Sequence, residues 1–206
     1  ILSGLVGSEM CIRDRYLNLI AEAPLPSKKL AFDIGTGTGV IAALLAQRGV
    51  EKVIATDQDA RALACAKENL SRLDLRDRVQ VLEADLFPAG TAPLIVCNPP
   101  WIPARPSSAI EYAIYDPDSR MLRGFLNGLA AHLEAKGEGW LILSDLAEHL
   151  GLRTREELLQ MIEAAGLKVI DRIDTKPVHP RAADASDPLH HARSAEITSL
   201  WRLAAR

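Results

Sequence analysis

A glycine-rich turn between an apolar strand and a helix constrains the fold of this chain more than any other feature. The apolar segment Lys29 to Ile34 is followed at residues 35–39 by Gly-Thr-Gly-Thr-Gly, and helix-forming residues run from Val40 to Arg48. Glycines let the backbone turn tightly and approach a ligand closely. A strand, a glycine turn and a helix in this order predict the first half of a βαβ unit.

Strand and helix patterns alternate along the rest of the chain, which predicts a mostly parallel sheet. The predicted strands are residues 29–34, 52–56, 79–82, 94–97, 139–143, 167–173 and 195–203. The predicted helices are 40–48, 60–73, 119–133 and 154–165, with Asp59 and Thr154 as N-caps of the second and fourth. The last two strands have no helix between them, so we expect an antiparallel C-terminal hairpin. The predicted class is α/β, a Rossmann-like doubly wound seven-stranded sheet.

Composition excludes several classes of protein. A chain of 206 residues with 48% hydrophobic and 25% charged residues suits one globular domain. Apolar runs fall short of the roughly 18 residues that a membrane helix needs, so no membrane partner is expected. A net charge of -3 argues against a broad basic face for nucleic acid, although a local basic cleft stays possible. The three cysteines form no C-x-x-C pair, which favours a cytoplasmic location.

The first 15 residues, ILSGLVGSEMCIRDR, have no clean helical or strand period. They resemble translated adapter sequence, and they lack the basic and long apolar regions of a signal peptide. We therefore expect residues 1–15 to be a non-native leader and residues 16–206 to be the functional domain.

Polar residues follow four of the predicted strands, where ligands of such sheets bind. The G-x-G-x-G spacing and the carboxylate of Asp33 disfavour a pyrophosphate, and hence an NAD-type oxidoreductase. The carboxylate instead favours a ligand with a cationic amine. Asp57 is placed to accept hydrogen bonds from a ribose, and Asp85 suits an adenine amine. S-adenosylmethionine combines these three groups. The predicted cofactor-binding residues are Asp33, Gly35, Thr36, Gly37, Gly39, Asp57, Asp85 and Asn98.

The fourth strand ends in the sequence Asn98-Pro99-Pro100-Trp101, and these four are the predicted catalytic residues. An amide or aryl amine is a poor nucleophile because its lone pair is delocalised. The side-chain oxygen of Asn98 and the backbone carbonyl of Pro99 can accept its two N–H groups and turn the lone pair toward a methyl donor. The prolines fix φ near −65°, and the Trp101 ring can stack on a planar substrate.

These motifs resemble those of class I S-adenosylmethionine-dependent methyltransferases. Within that superfamily, N-P-P followed by an aromatic residue resembles the HemK-like protein-glutamine methyltransferases and the small-domain methyltransferases. The resemblance implies N-methylation of a planar nitrogen, with a protein glutamine favoured and an adenine or guanine amine in RNA or DNA as the alternative. The resembling enzymes most often carry tyrosine or phenylalanine where Trp101 stands, which leaves the substrate open. A non-catalytic binding module is disfavoured because N-P-P-W is intact.

The segment Asp116 to Leu129 is similar to the region after N-P-P-Y in the HemK-like enzymes, or it is simply the start of a helix capped by Asp118 or Ser119. Tyr112 and Tyr115 could close over the substrate or be half-buried loop residues. Cys97 is expected to be a small buried side chain rather than a nucleophile.

The loop Thr175 to Arg193 holds three histidines, but their spacing is a weak metal pattern and no metal is predicted. We expect this loop to be solvated or to face the substrate. Its histidines are His179, His190 and His191.

Overall fold

The computed structural model describes residues 16–103, 115–176 and 195–206. Within them lies a seven-stranded sheet with the order β3-β2-β1-β4-β5-β7-β6. The strands are β1 Leu30–Ile34, β2 Lys52–Asp57, β3 Val79–Glu83, β4 Ala92–Cys97, β5 Leu133–Ser144, β6 Leu167–Thr175 and β7 Thr198–Ala205. The helices are α1 at residues 16–22, α2 Val40–Gln47, α3 Ala60–Arg72, α4 Arg120–His132, α5 Leu146–His149 and α6 Arg155–Ala164, with a 3-10 turn at Pro117–Ser119.

The sheet has the predicted topology. Strands β1 to β5 pair in parallel, and β7 pairs antiparallel with β5 on one side and with β6 on the other. Helices α2 and α3 contact the β1–β3 half of the sheet, whereas α4 contacts β4, β5 and β7, and α6 contacts β6. The predicted α/β class with its antiparallel C-terminal pair is confirmed.

The core is continuous across the central strands. Phe32 and Ile34 of β1, Ile95 of β4 and Trp140 of β5 are all buried. Each fully buried large apolar side chain contributes about 1.5–3 kcal/mol, so burial on both faces of the sheet holds the central strands in register. Helix α1 joins the same core through Ile20, and Arg48 donates to the backbone carbonyl of Ala23 just beyond it at 2.7 Å.

Two strand starts differ from the sequence prediction by three or more residues, and helices α1 and α5 were not predicted. Strand β5 starts at Leu133 rather than 139, because Leu133 already pairs with Ala92 of β4. The register between the two strands then shifts between Ala92 and Leu94. Pro93 lies at that shift, where a missing N–H breaks no regular ladder. Strand β7 starts at Thr198 rather than 195 and runs to Ala205. The short helix α5 has no strong sequence signature, because four residues are too few for a helical period.

Two predicted helix caps are confirmed and one is wrong. Asp59 accepts hydrogen bonds from the backbone N–H groups of Arg61 and Ala62, and Thr154 forms a capping box with Glu157. Helix α4 is capped by neither Asp118 nor Ser119. The carboxylate of Asp116 instead accepts from Met121 N at 2.9 Å and Leu122 N at 3.1 Å. Asp116 reaches them because Asp118 and Ser119 adopt left-handed backbone angles and fold the chain back.

No helix among the described residues is long and apolar enough to cross a membrane.

Candidate active site

Asp33 is a buried carboxylate near the carboxyl end of β1. Its Oδ2 accepts hydrogen bonds from Thr36 Oγ1 at 2.6 Å and from the backbone N–H of Ala42 at 3.0 Å. Its Oδ1 is buried and has no hydrogen-bond partner among the described residues. Burial raises the pKa of Asp33 to about 6, because the surrounding protein solvates the charged form poorly. An orphaned buried carboxylate oxygen is costly unless a ligand supplies a donor.

The glycine turn is held by hydrogen bonds from its backbone N–H groups and by close packing at one of its glycines. Gly37 N–H donates to Asp57 Oδ2 at 2.9 Å, and Thr36 N–H donates to the carbonyl of Thr56 at 2.8 Å. Gly39 has φ +79°, and a Cβ there would lie 3.1 Å from the Cβ of Ala66. Gly37 has φ +55° and open space where a Cβ would project. The turn therefore packs tightly against α3 at Gly39 and stays open at Gly37.

The other two predicted acids differ in what they contact. The Oδ1 of Asp57 accepts from the backbone N–H of Asp59 at 2.9 Å, so Asp57 ties the end of β2 to the glycine turn. Each carboxylate oxygen has a second lone pair that a ligand hydroxyl could use. Asp85 is exposed and forms a salt bridge with Arg120 of α4 at 2.8 Å. Sequence reasoning missed this partner because 35 residues separate the two.

The start of α4 reaches over the glycine turn. If residue 35 carried a Cβ, that atom would lie 2.2 Å from the Met121 methyl group and would overlap with it. Met121 therefore packs directly against Gly35. The neighbouring Asp118 and Ser119 have φ of 57° and 53°. Such angles cost on the order of 1 kcal/mol or more for each non-glycine residue, and they concentrate at functional sites. Met121 and Arg120 were not predicted as site residues, and their contacts with Gly35 and Asp85 are long-range.

The Asn98–Trp101 corner directly follows β4. Pro99 and Trp101 are buried, whereas Asn98 and Pro100 are partly exposed. The Trp101 indole Nε1–H donates to Asn98 Oδ1 at 3.0 Å, and the indole side chain as a whole is 9% exposed. Beyond the corner, Ile102 bridges to Tyr115, and the carbonyl of Ile102 accepts from Asp116 N–H at 2.8 Å.

The register of the sheet brings these groups to one edge. Strand β1 lies between β2 and β4, with Ile34 opposite Thr56 on one side and Cys97 on the other. The glycine turn and Asn98 therefore leave adjacent strands at the same level. The structure thus places Asp33, Asp57 and Asn98 at the carboxyl edge, as predicted, with Asp85 following β3 at the same edge.

Cys97 is fully buried, and burial raises the pKa of its thiol well above the ordinary value. A thiol in that state is not a nucleophile near neutral pH. His179, His190, His191 and Tyr112 lie outside the described residues. Within the described ranges, no three His, Cys, Asp or Glu side chains are grouped to hold a metal ion.

Comparison with known proteins places this architecture among methyltransferases. Release factor glutamine methyltransferase from Caulobacter vibrioides is 30% identical over an alignment of 157 residues, and the alignment covers 72% of this chain and 54% of that protein. tRNA1(Val) (adenine(37)-N6)-methyltransferase from Tolumonas auensis is 39% identical over 82 residues, 38% of this chain and 35% of that protein. The chain spans about half the length of the first of these relatives.

Solved structures share the fold at low sequence identity. The crystal structure of a ribosomal protein L11 methylase from Lactobacillus delbrueckii subsp. bulgaricus superposes with a TM-score of 0.63 and 16% identity, covering 92% of this chain and 77% of that one. A family model described as the methyltransferase small domain matches residues 17–165. The resemblance drawn from the sequence is thereby confirmed. The chain belongs to the methyltransferase small domain family.

Proposed function

We propose that this chain is an S-adenosylmethionine-dependent N-methyltransferase acting on a planar amide or amine nitrogen, most readily a glutamine side chain in a protein. The observation that carries the proposal is the pairing of two groups on adjacent strands. Asp33 offers an unpaired buried oxygen at the end of β1, and Asn98 begins the Pro-Pro corner at the end of β4. One suits a cationic donor molecule and the other a nitrogen acceptor.

The residues around the glycine turn fit S-adenosylmethionine. When bound, this cofactor supplies a methyl group on a sulfonium sulfur, together with an ammonium group, a ribose and an adenine. The free Oδ1 of Asp33 would accept from the ammonium, which relieves the cost of its burial. Asp57 would accept from ribose hydroxyls, and the open space at Gly37 lets a ligand approach the backbone. Asp85 would face the adenine once the Arg120 side chain moves away from the Asp85 carboxylate.

The corner would hold the acceptor nitrogen. One N–H of the acceptor would donate to Asn98 Oδ1 and the other to the carbonyl of Pro99. Both bonds favour a pyramidal nitrogen whose lone pair points at the methyl group. That lone pair would form the new N–C bond as the methyl–sulfur bond breaks, the sulfur would keep the bonding electrons and leave as a neutral thioether, and the surplus proton on nitrogen would pass to solvent afterwards. Pro100 stiffens the corner, and positioning in a dry site supplies most of the rate enhancement.

A protein acceptor is favoured over a nucleic acid for two reasons. The net charge of -3 provides no broad basic surface for phosphates. The relative with the longer matched segment is named for glutamine methylation of a release factor. An adenine amine in tRNA is the second candidate, because a relative named for adenine methylation of tRNA is 39% identical over 82 residues.

Calorimetry tests the cofactor assignment. Titration with S-adenosylmethionine should show one site, and NAD should show no binding. Asp33→Asn should weaken S-adenosylmethionine binding by about tenfold, since a charged partner of the ammonium is lost. Asp74→Asn, an exposed aspartate on a turn, is the matched control and should bind as the parent does. Binding of NAD but not of S-adenosylmethionine would refute the proposal.

A transfer assay with tritiated S-adenosylmethionine tests the acceptor. A bacterial release factor and bulk tRNA are offered in separate reactions, and the label in each is counted after digestion. Label in glutamine of the release factor supports the leading assignment. Label in adenine establishes the second candidate in its place. Cofactor binding without label in either acceptor rejects both acceptors while leaving the cofactor assignment intact.

We also propose that residues 1–15 are a leader foreign to the enzyme and that the domain of residues 16–206 works in the cytoplasm. A chain that starts at Tyr16 should keep the melting temperature and the cofactor affinity of the full chain. A large loss of either would show that the leader belongs to the fold.

A further inference from the structure

We infer that Trp101 is a positioning residue whose indole N–H sets the orientation of the Asn98 carboxamide. The inference rests on the proposed function, in which Asn98 holds the acceptor nitrogen. Its basis is the hydrogen bond from Trp101 Nε1 to Asn98 Oδ1, 3.0 Å long. A residue expected only to cover a flat substrate thus contacts the group proposed to bind that substrate.

The chemistry of the two groups makes this bond selective for one orientation. An indole N–H can only donate, and a carboxamide offers an acceptor oxygen on one side and a donor NH₂ on the other. If the Asn98 side chain turned over, two donors would face each other and the bond would be lost. The bond therefore fixes which end of the carboxamide faces Trp101. It occupies one lone pair of Oδ1 and leaves the second for the acceptor.

Burial makes the bond difficult to replace. With only 9% of Trp101 exposed, water has little access with which to satisfy a freed indole N–H. Leaving a buried donor unpaired costs about 1–3 kcal/mol, more than the net worth of an exposed hydrogen bond. Two prolines whose φ angles are fixed separate the residues, so the backbone between donor and acceptor is rigid as well.

Neither common aromatic alternative could do the same. Phenylalanine has no donor, and the hydroxyl of tyrosine lies at the far end of the ring rather than at the edge where the indole nitrogen sits. In this chain, the carboxamide is therefore oriented by a bond that is specific to tryptophan at position 101.

The first experiment needs no acceptor and so tests the bond apart from the function. Indole N–H exchange is followed by nitrogen–proton correlation spectra of the full chain, with the Trp101 signal assigned by its loss in Trp101→Phe. We expect Asn98→Ala to accelerate exchange of this signal by about tenfold, which corresponds to roughly 1.4 kcal/mol. The indole of Trp140, bonded to Glu138 at 2.9 Å, serves as the internal control and should not change. An unchanged Trp101 exchange rate would overturn the inference.

The second experiment tests the positioning role through a double-mutant cycle on methyl transfer. The acceptor is the release factor or tRNA, whichever is labelled in the transfer assay. Trp101→Phe keeps an aromatic ring and removes the donor, so kcat should fall about tenfold with KM changed less than about threefold. In the Asn98→Ala background, the same change should cost less than about twofold, because its target is already gone. Trp140→Phe removes a comparable bond in β5 and should leave kcat as in the parent.

Two outcomes would contradict the role. If Trp101→Phe retains full kcat while Trp101→Leu loses it, Trp101 acts by stacking. If Trp101→Phe and Asn98→Ala lower kcat additively, the two residues act independently. Where Trp101→Phe unfolds the protein, benzothienylalanine at position 101 replaces the N–H by sulfur in a ring of nearly the same shape. It should give the same tenfold loss, and full activity with this analogue would overturn the inference. Absence of label in both the release factor and tRNA would reject these two acceptors, while the exchange result would still decide the bond.

Discussion

The two halves of the candidate site are held by different kinds of hydrogen bond. Around β1 and β2, the acids Asp33 and Asp57 accept from three backbone N–H groups, and Thr36 Oγ1 is the one side-chain donor among these bonds. Around β4, the Asn98 side chain accepts from the side chain of Trp101, whereas Asp116 joins the corner to α4 through backbone N–H donors. Backbone donors depend on the path of the chain, whereas side-chain donors depend on residue identity.

The two halves should therefore differ in their sensitivity to substitution. A turn fixed by its own backbone keeps its shape as long as the glycines and the acids remain. A corner fixed by side chains can change its acceptor preference through a single substitution. We therefore expect cofactor affinity to follow the β1–β2 half and acceptor choice to follow the β4 half.

The largest expected effect separates the two halves. Asn98→Ala should lower kcat for methyl transfer by about 10²–10³-fold, as loss of one positioned polar group at a reacting centre commonly does. Calorimetric affinity for S-adenosylmethionine should change less than about threefold, because Asp33 and Asp57 are untouched. Asn127→Ala, an exposed asparagine on α4, is the control. Parent-like activity of Asn98→Ala would remove the distinction between the halves.

The next effect concerns the pH dependence of stability. The pKa of Asp33 is about 6 when folded and near 3.8 in the unfolded chain, so the folded state binds this proton more tightly. Stability from this group is therefore complete below the unfolded pKa and is lost as pH rises through the folded pKa. The loss amounts to roughly 2–3 kcal/mol at about 1.4 kcal/mol per pKa unit.

Asp33→Asn should abolish this dependence. The free energy of unfolding of the variant, measured in urea without cofactor, should rise relative to the parent by about 2 kcal/mol between about pH 4 and about pH 7. A constant difference across that range would show that Asp33 titrates normally in the folded protein.

A smaller effect compares two glycines of the same turn. Gly39→Ala and Gly37→Ala both place a side chain at positive φ, which costs about 1 kcal/mol or more. Only Gly39→Ala also brings a Cβ to 3.1 Å from Ala66, whereas the space at Gly37 is open. In thermal unfolding, we expect Gly39→Ala to be the more destabilised by about 1–2 kcal/mol. Equal losses would mean that α3 moves away at no cost.

The smallest expected effect on stability comes from breaking the salt bridge between Arg120 of α4 and Asp85 after β3. Arg120 and Asp85 are 65% and 58% exposed, so their salt bridge contributes less than about 1 kcal/mol. Arg120→Gln should leave the melting temperature almost unchanged, and Arg72→Gln, which removes the exposed pair with Glu68, is the matched control. If Arg120→Gln destabilises far more than Arg72→Gln, the start of α4 is fastened to β3 more strongly than the exposure of the pair implies.

Most of the fold was predictable because local patterns fix it. Apolar runs with β-branched residues gave the strands, and Asp59 and Thr154 marked helix starts through side-chain caps that act within three residues. The early start of β5 was missed because residues 134–138 read Glu-Ala-Lys-Gly-Glu, a polar stretch with a glycine. Its pairing to β4 is a long-range property that such a stretch does not reveal.

The sequence predicted only those residues of the candidate site that lie at the ends of strands. The rule that ligands bind at the carboxyl edge brought Asp33, Asp57 and Asn98 together correctly. Two features of the site depend on the left-handed backbone at Asp118 and Ser119. One is the cap of α4 by Asp116, and the other is the salt bridge between Arg120 and Asp85. Non-glycine residues rarely adopt those angles, so no propensity argument predicts them.

The position of β7 between β5 and β6 has a consequence for synthesis of the protein. A ribosome releases β6 before β7, and among the strands that the structure describes β6 pairs with β7 alone. Until the segment Thr198–Ala205 emerges, the nascent chain carries an unpaired strand with Val169 and Ile170 and an open edge on β5. The unpaired N–H and C=O groups of such edges can form hydrogen bonds with the edges of neighbouring chains on a polysome. We therefore expect an incomplete chain that ends before β7 to aggregate more readily than the complete sheet.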